Sequence, residues 1–216
     1  MTESMTFPLT SQLVRAGTAL LLFVLVAACD STDPSDDPGA GEQEVISDVS
    51  LTLAPEDGSA AVTANAVFNE DGELDDQTGE LTLTLTPNMT YAGTIAFANR
   101  FASDPGERDV NAEVRAEATE HQVFYVPVGD LASVLQIDYL DDEASYADEA
   151  EDPSEVRSGV PVGLAFALTT SNNASSTNGE LRVVLGHYDE RPKSASESVD
   201  DVPERDVDVT FQVSIP

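Results

Sequence analysis

Asp206-Val207-Asp208-Val209-Thr210-Phe211-Gln212-Val213-Ser214-Ile215 alternates polar and apolar residues without a break. Period two is the signature of an extended strand, whose successive side chains point to opposite faces. Val207, Val209, Phe211, Val213 and Ile215 make one face, and the other is polar. A strand with one dry and one wet side is the habit of antiparallel sheets. The same period recurs on working outward from this stretch. Leu81, Leu83 and Leu85 alternate with Thr82, Thr84 and Thr86, and Leu164, Phe166 and Leu168 alternate with Gly163, Ala165, Ala167 and Thr169. Weaker strands read over 46–54, 60–68, 91–98, 121–127, 134–140 and 180–188. Short strands divided by turn signals predict a mainly β fold, an antiparallel immunoglobulin/fibronectin-like β-sandwich.

Two local patterns add detail. In Leu85-Thr86-Pro87-Asn88-Met89-Thr90-Tyr91 the Pro-Asn pair makes a turn and Tyr91 opens a strand. This resembles the tyrosine corner of such sandwiches, in which the hydroxyl bonds back to upstream backbone. Asp104-Pro105-Gly106-Glu107 offers an N-cap, a Pro at the first helical position and a Glu three residues after the cap. Val110, Val114 and Ala118 follow at helical spacing, so one short helix is expected from this point to about Glu120, crossing the sandwich between two strands.

The N-terminal region reads differently. The apolar stretch from Ala16 to Ala28 follows Arg15 and is shorter than the roughly 20 residues a spanning helix needs. It matches a secretory leader, and Val26-Ala27-Ala28-Cys29 matches a lipobox. Glu3 weakens the basic leader, and a start at Met5 would remove it. Cys29 is the only cysteine, which excludes a disulfide within the chain. Its thiolate would take a diacylglyceryl group, and after cleavage its amine a further acyl chain. Two chains already give stable anchoring. The expected organisation is a lipoprotein signal peptide over 1–28, an acidic flexible tether over 29–43 and a β-sandwich domain over 44–216. The tether, rich in Asp, Ser, Pro and Gly, has no apolar residue larger than Ala and cannot build a core. The expected location is the cell envelope, lipid-anchored. Asp30 beside the Cys leaves the choice of membrane leaflet open.

The formal net charge is −32, from 41 acidic and 9 basic residues, and Lys193 is the sole lysine. Such a surface resembles proteins of salt-loving organisms: molar salt shortens the Debye length to about 3 Å and screens the self-repulsion. The alternative is an acidic surface that captures Ca²⁺ or a basic partner. Nucleic acid is excluded as a partner, because no Lys/Arg cluster exists to meet phosphates.

Few residues carry chemistry. His121 lies four residues after Glu117, itself four after Glu113, so on one helix the three share a face. Carboxylates and an imidazole in that row suit a divalent metal. His187 ends a strand, with Asp189 two residues on, and could join Glu117 and His121 in one site. Alternatively His121 caps a helix C-terminus, where the dipole favours a cation, and His187 sits at a wet strand end. Asn69, Asp71, Glu73 and Asp75 surround a Gly turn and form a candidate Ca²⁺ loop, although the spacing is not that of an EF-hand. Acidic loops over 141–155, tipping a hairpin, and 190–205 complete the picture. Nucleophile elbow, His-Glu-x-x-His, P-loop and dinucleotide fingerprints are all missing.

Most of the stretch after the tether resembles a group of small Gram-negative envelope lipoproteins labelled "type 1 periplasmic binding domain-containing". The residues that carry the likeness run from Glu117 to Tyr125, from Val162 to Leu164, from Leu168 to Thr170, from Gly179 to His187, over Lys193-Ser194-Ala195, and from Asp206 to Phe211. Val67 to Gly72 and the Pro87–Tyr91 turn also fit. The chain departs from the pattern in its acidic 141–155 insertion and in Tyr188-Asp189-Glu190-Arg191-Pro192. The label does not describe the fold, since the chain is too small for a two-lobed binding protein. The resemblance implies an envelope location near outer-membrane transporters, and no activity. The expectation is a non-enzymatic, monomeric binding or accessory module, held to the membrane by its N-terminal lipid and partnered by a transporter or another envelope protein. The alternatives are a purely structural acidic surface protein, or a divalent-metal protein using His121 and His187, a metal-dependent hydrolase among them.

Overall fold

The computed structural model describes residues 45–75, 79–174, 176–188 and 191–216. The expected signal peptide, Cys29, the expected tether and Asp189 lie outside the described residues. Among the described residues, nine strands and one α-helix follow in order: β1 (Asp48–Pro55), β2 (Val62–Val67), β3 (Thr82–Thr84), β4 (Thr90–Ala98), α1 (Val110–Ala116), β5 (His121–Val128), β6 (Leu135–Tyr139), β7 (Ala165–Thr170), β8 (Thr177–His187) and β9 (Glu204–Ile215). They form a five-stranded sheet ordered β2-β1-β4-β7-β6 and a four-stranded sheet ordered β3-β9-β8-β5. Every neighbouring pair is antiparallel except β3 and β9, which run parallel. The fold is mainly β and sandwich-like, and each strand sits where period-two alternation places it.

Alternation also decides the core. Val49, Leu51, Leu53, Ile95, Phe97, Phe166 and Leu168 of one sheet join Leu83, Val123, Leu181, Val183, Phe211 and Val213 of the other in a single buried cluster. Gly93 faces Phe166 across the β4–β7 pair, and a Cβ there would lie 2.3 Å from the ring. The glycine therefore makes room for an aromatic ring that fills the layer between the sheets.

The turn before β4 is anchored by its tyrosine. Tyr91 is buried, and its hydroxyl accepts a hydrogen bond from the Thr86 N–H at 2.7 Å. Asn88 takes the left-handed conformation, φ +53°, that the turn requires. Thr170 ties the same corner to β7 by donating to the Thr86 carbonyl at 2.7 Å.

The helix is shorter than its sequence predicts. Asp104 accepts from the Gly106 N–H at 2.8 Å, but this closes only a turn that leads into a 3₁₀ segment, Gly106–Arg108. A bridge between Ala98 and Asp109 holds the chain back against the end of β4, so α-helix begins only at Val110. Val110, Val114 and Ala118 are buried as the spacing requires. Asn111 fastens the helix to the sheet, accepting from Phe97 N–H at 2.6 Å and donating to the Ile95 carbonyl at 2.9 Å.

The β6–β7 connection is the acidic loop, and it folds back onto the domain. Asp142 and Ser145 form a capping box on the 3₁₀ turn Glu143–Tyr146. Asp141 accepts from the backbone N–H groups of Gly163, Leu164 and Ala165. Gly163 adopts φ +90°, and a side chain there would strike the Val123 carbonyl at 2.8 Å. Glu143 is fully buried and bound by Arg157, whose guanidinium contacts both carboxylate oxygens at 2.6 and 3.1 Å.

Candidate metal centre

β5 begins where β8 ends, and the antiparallel register sets His121 directly opposite His187. Alternation puts both on the face of Val123, Tyr125, Val183 and Leu185, so the imidazoles close one end of the main core. Both residues are 0% exposed. Their rings stack with centroids 4.3 Å apart and planes 25° from parallel.

A β-bulge supplies the third member. In the β8–β9 pairing Leu185 faces Val207 and Gly186 faces Arg205, so Asp206 is the extra residue. Bulges re-aim side chains, and this one turns a carboxylate inward from a strand whose neighbouring acids face solvent. The Asp206 side chain has no exposed surface; its Oδ2 lies 3.4 Å from His121 Nε2 and its Oδ1 3.6 Å from His187 Nδ1. The opposite nitrogens meet two further carboxylates. Glu117 Oε2 is 3.6 Å from His121 Nδ1, and Glu120 Oε2 is 3.9 Å from His187 Nε2. These glutamates stand on the turn that ends the helical segment, closed by N–H groups of Glu120 and His121 donating to the Glu117 carbonyl at 2.9 and 3.1 Å. His121 is thus a strand residue rather than the helical residue that its spacing from Glu117 suggests. Glu113, the remaining member of that row, is exposed on α1.

One ligand atom from each of Glu117, His121 and His187 lies within 4.8 Å of the others, and this is the one such trio of His, Cys or acidic residues among the described residues. Glu117 Oε2 and His121 Nε2 are buried and make no hydrogen bond. Burial holds the Glu117 carboxyl above its ordinary range, His121 opposes this, and the neighbouring Glu120, Glu113 and Glu151 reinforce it. Burial acts in the same direction on Asp206, but the two imidazoles beside it win, and its carboxyl is held below the usual range. Two imidazoles among carboxylates form a pocket that attracts a cation, and this donor set is chemically suited to a borderline-soft metal.

Solvent reaches the edge of this cluster. A cleft of about 460 Å³ is lined by Thr119, Glu120, Arg157, Tyr188, Arg191 and Pro192, so Glu120 belongs to both the cleft and the cluster. A second cleft of about 420 Å³ includes Asp206, Asp208, Asp71 and Phe68.

The other candidate residues are placed differently. Asn69 Oδ1 accepts from the N–H groups of Asp71 and Glu73 at 3.0 and 2.9 Å, while Gly72 takes φ +75°. The Asn-Gly spacing of this loop thus serves a tight turn, and Asp71 and Glu73 are exposed on it. Asp75 donates its backbone N–H to the Val67 carbonyl at 2.7 Å, extending that hairpin.

Sequence reasoning missed Asp206, whose alternation with Val207 reads as a wet face. It also missed Lys193, which is 1% exposed. The Lys193 ammonium donates to the carbonyls of His121 and Pro161 and lies 3.8 Å from Glu143 Oε1. Burial pulls its pKa down to about 7, against the opposing pull of Glu143. Arg157 donates to the Lys193 carbonyl at 2.9 Å, so one ion cluster fastens the 141–163 and 191–203 loops to β5 beside the histidines. A lone lysine in a chain that otherwise uses arginine was the available signal.

No protein-family model, curated protein or solved structure matches the chain. Among the described residues no helix is long and apolar enough to cross a membrane.

Proposed function

We propose that the protein is a lipid-anchored cell-envelope lipoprotein whose sandwich acts as a non-catalytic binding or accessory module beside a transporter or another envelope protein, in a high-salt environment. The observation that carries this reading is the single cysteine at the end of the 16–28 apolar run, followed by a Pro-, Asp- and Ser-rich stretch that ends shortly before β1. A protein held by acyl chains and lacking the sequence signatures of an enzyme presents a surface. The cleft beside Glu120, with Arg157, Tyr188 and Arg191 on its walls, is the concave part of that surface where a partner's side chains would enter.

An immunoglobulin-like relationship is part of the proposal. The order β9-β8-β5 follows the G-F-C arrangement, and β4-β7-β6 follows B-E-D. The parallel β3–β9 pair adds an edge strand to the first of these sheets.

Metabolic labelling with radioactive palmitate tests the anchor. The wild type is expected to carry label and to fractionate with membranes, and Cys29→Ala to lose both. An unlabelled wild type, or a Cys29→Ala variant still retained by membranes, would refute it. In-cell photo-cross-linking from Thr119 in the cleft, compared with Thr52 on β1, tests the binding module. A discrete adduct is expected from Thr119 alone, and none from either position would favour a purely structural surface protein.

A further inference from the structure

We infer that Glu117, His121 and His187 bind one divalent transition metal of the zinc class, and that Asp206 orients both imidazoles from behind. This goes beyond the anchoring reading and does not depend on it, since every ligand belongs to the β-sandwich domain.

The donor set comes first. Two imidazoles and a carboxylate suit Zn²⁺, Co²⁺ or Ni²⁺, whereas Ca²⁺ and Mg²⁺ prefer an all-oxygen shell. Geometry agrees. Two ligands bound to zinc at about 2.0–2.1 Å and held at the tetrahedral angle lie about 3.4 Å apart. Glu117 Oε2 and His121 Nδ1 are 3.6 Å apart, beyond a hydrogen bond but close to that edge length. His121 Nδ1 also lies 3.4 Å from the Glu117 carbonyl, too long for a strong competing bond.

The shell behind the rings has the form that metal-binding histidines use. A ligating imidazole commonly gives its other N–H to a carboxylate, which fixes its tautomer and ring orientation. Asp206 meets one nitrogen of each ring, at 3.4 and 3.6 Å, and so directs the opposite nitrogens toward Glu117 and Glu120. The β9 bulge that places Asp206 there gives up a ladder position to do so. His121 is completely buried, and Glu117 Oε2, which faces its Nδ1, is buried and makes no hydrogen bond. A cation between Glu117 Oε2 and His121 Nδ1 would give that orphaned oxygen a partner. Glu120, beside the cluster, also lines the cleft, which gives an ion a way in.

The competing occupant is a proton, which would turn the cluster into a buried ion-pair network. Titration of the chelator-stripped full chain with Co²⁺ distinguishes the two, in molar NaCl with excess Mg²⁺ to suppress loose binding by the acidic shell. The expected result is one Co²⁺ per chain, with the intense visible absorption of a four-coordinate ion, displaced by Zn²⁺. His187→Gln is expected to abolish the bands, Glu117→Gln to weaken binding at least tenfold and Asp206→Asn to weaken it about 10–100-fold. Glu113→Gln, on the same helical row but outside the cluster, is expected to bind as the wild type does. Glu117 is partly exposed on a turn, so its variant keeps the fold, which circular dichroism checks. Absence of the bands, competition by Mg²⁺, or equal affinities for Glu117→Gln and Glu113→Gln would overturn the proposal.

Discussion

Replacing Asp141 by Asn removes a charge while keeping the shape of the side chain. Asp141 Oδ1 accepts from Gly163 N–H at 2.8 Å. Oδ2 accepts from Leu164 N–H at 2.8 Å, Ala165 N–H at 3.0 Å and the Tyr146 hydroxyl at 2.7 Å. The best orientation of the amide puts its oxygen at the Oδ2 position and keeps three of these contacts. Its NH₂ then faces the Gly163 N–H, donor against donor. One buried N–H left unsatisfied costs about 1–3 kcal/mol, and a bond to a charged acceptor is worth about 1 kcal/mol more than a neutral one. With each of the three retained bonds weakened by that amount, the sum is a loss of about 4–6 kcal/mol. Urea denaturation in molar NaCl is the suitable assay, because the salt screens the change in net charge that any Asp→Asn exchange brings. Asp148, exposed in the same loop, is the control, and its Asn variant is expected within about 0.5 kcal/mol of wild type. If the two variants unfold at the same urea concentration, the buried carboxylate does not hold the loop and the reasoning fails.

Lys193→Met is expected to flatten a pH dependence. Burial lowers the Lys193 pKa to about 7 in the folded domain, whereas the unfolded chain keeps that proton to about pH 10.4. Between these values the unfolded state holds more protons, so wild-type stability gains from Lys193 as pH rises; equal slopes in both proteins between about pH 7 and pH 9.5 would count against this. The net charge of −32 predicts that the protein loses cooperative unfolding in dilute buffer and regains it in molar salt, and equal melting temperatures in the two would remove the halophilic reading.

The strands were legible because each carries its own period. Val207 to Ile215 declares one buried face without reference to any other segment, and Leu164 to Leu168 does the same. The histidine pair was only half legible. That His121 opens one strand and His187 closes another can be read locally, but their alignment depends on the register between strands more than 60 residues apart. Asp206 was hidden for a related reason. A bulge is a property of two strands, and a residue that alternates correctly in its own strand gives no sign that its partner has slipped. The helix failed at its start, because a tertiary bridge at Asp109 overrode a good local cap at Asp104. Lys193 and Glu143 defied composition: in a chain this acidic, charges read as surface, and these two pack inside.

The burial of Lys193 has a practical consequence. It is the chain's one lysine side chain and is 1% exposed. The folded domain therefore offers no side-chain amine to acylating reagents or amine-directed cross-linkers, and surface coupling through lysine cannot capture it. When the domain opens, one amine becomes reactive at one known position. The rate at which that site is labelled then measures how often the interior beside the histidines is laid bare, without any engineered reporter.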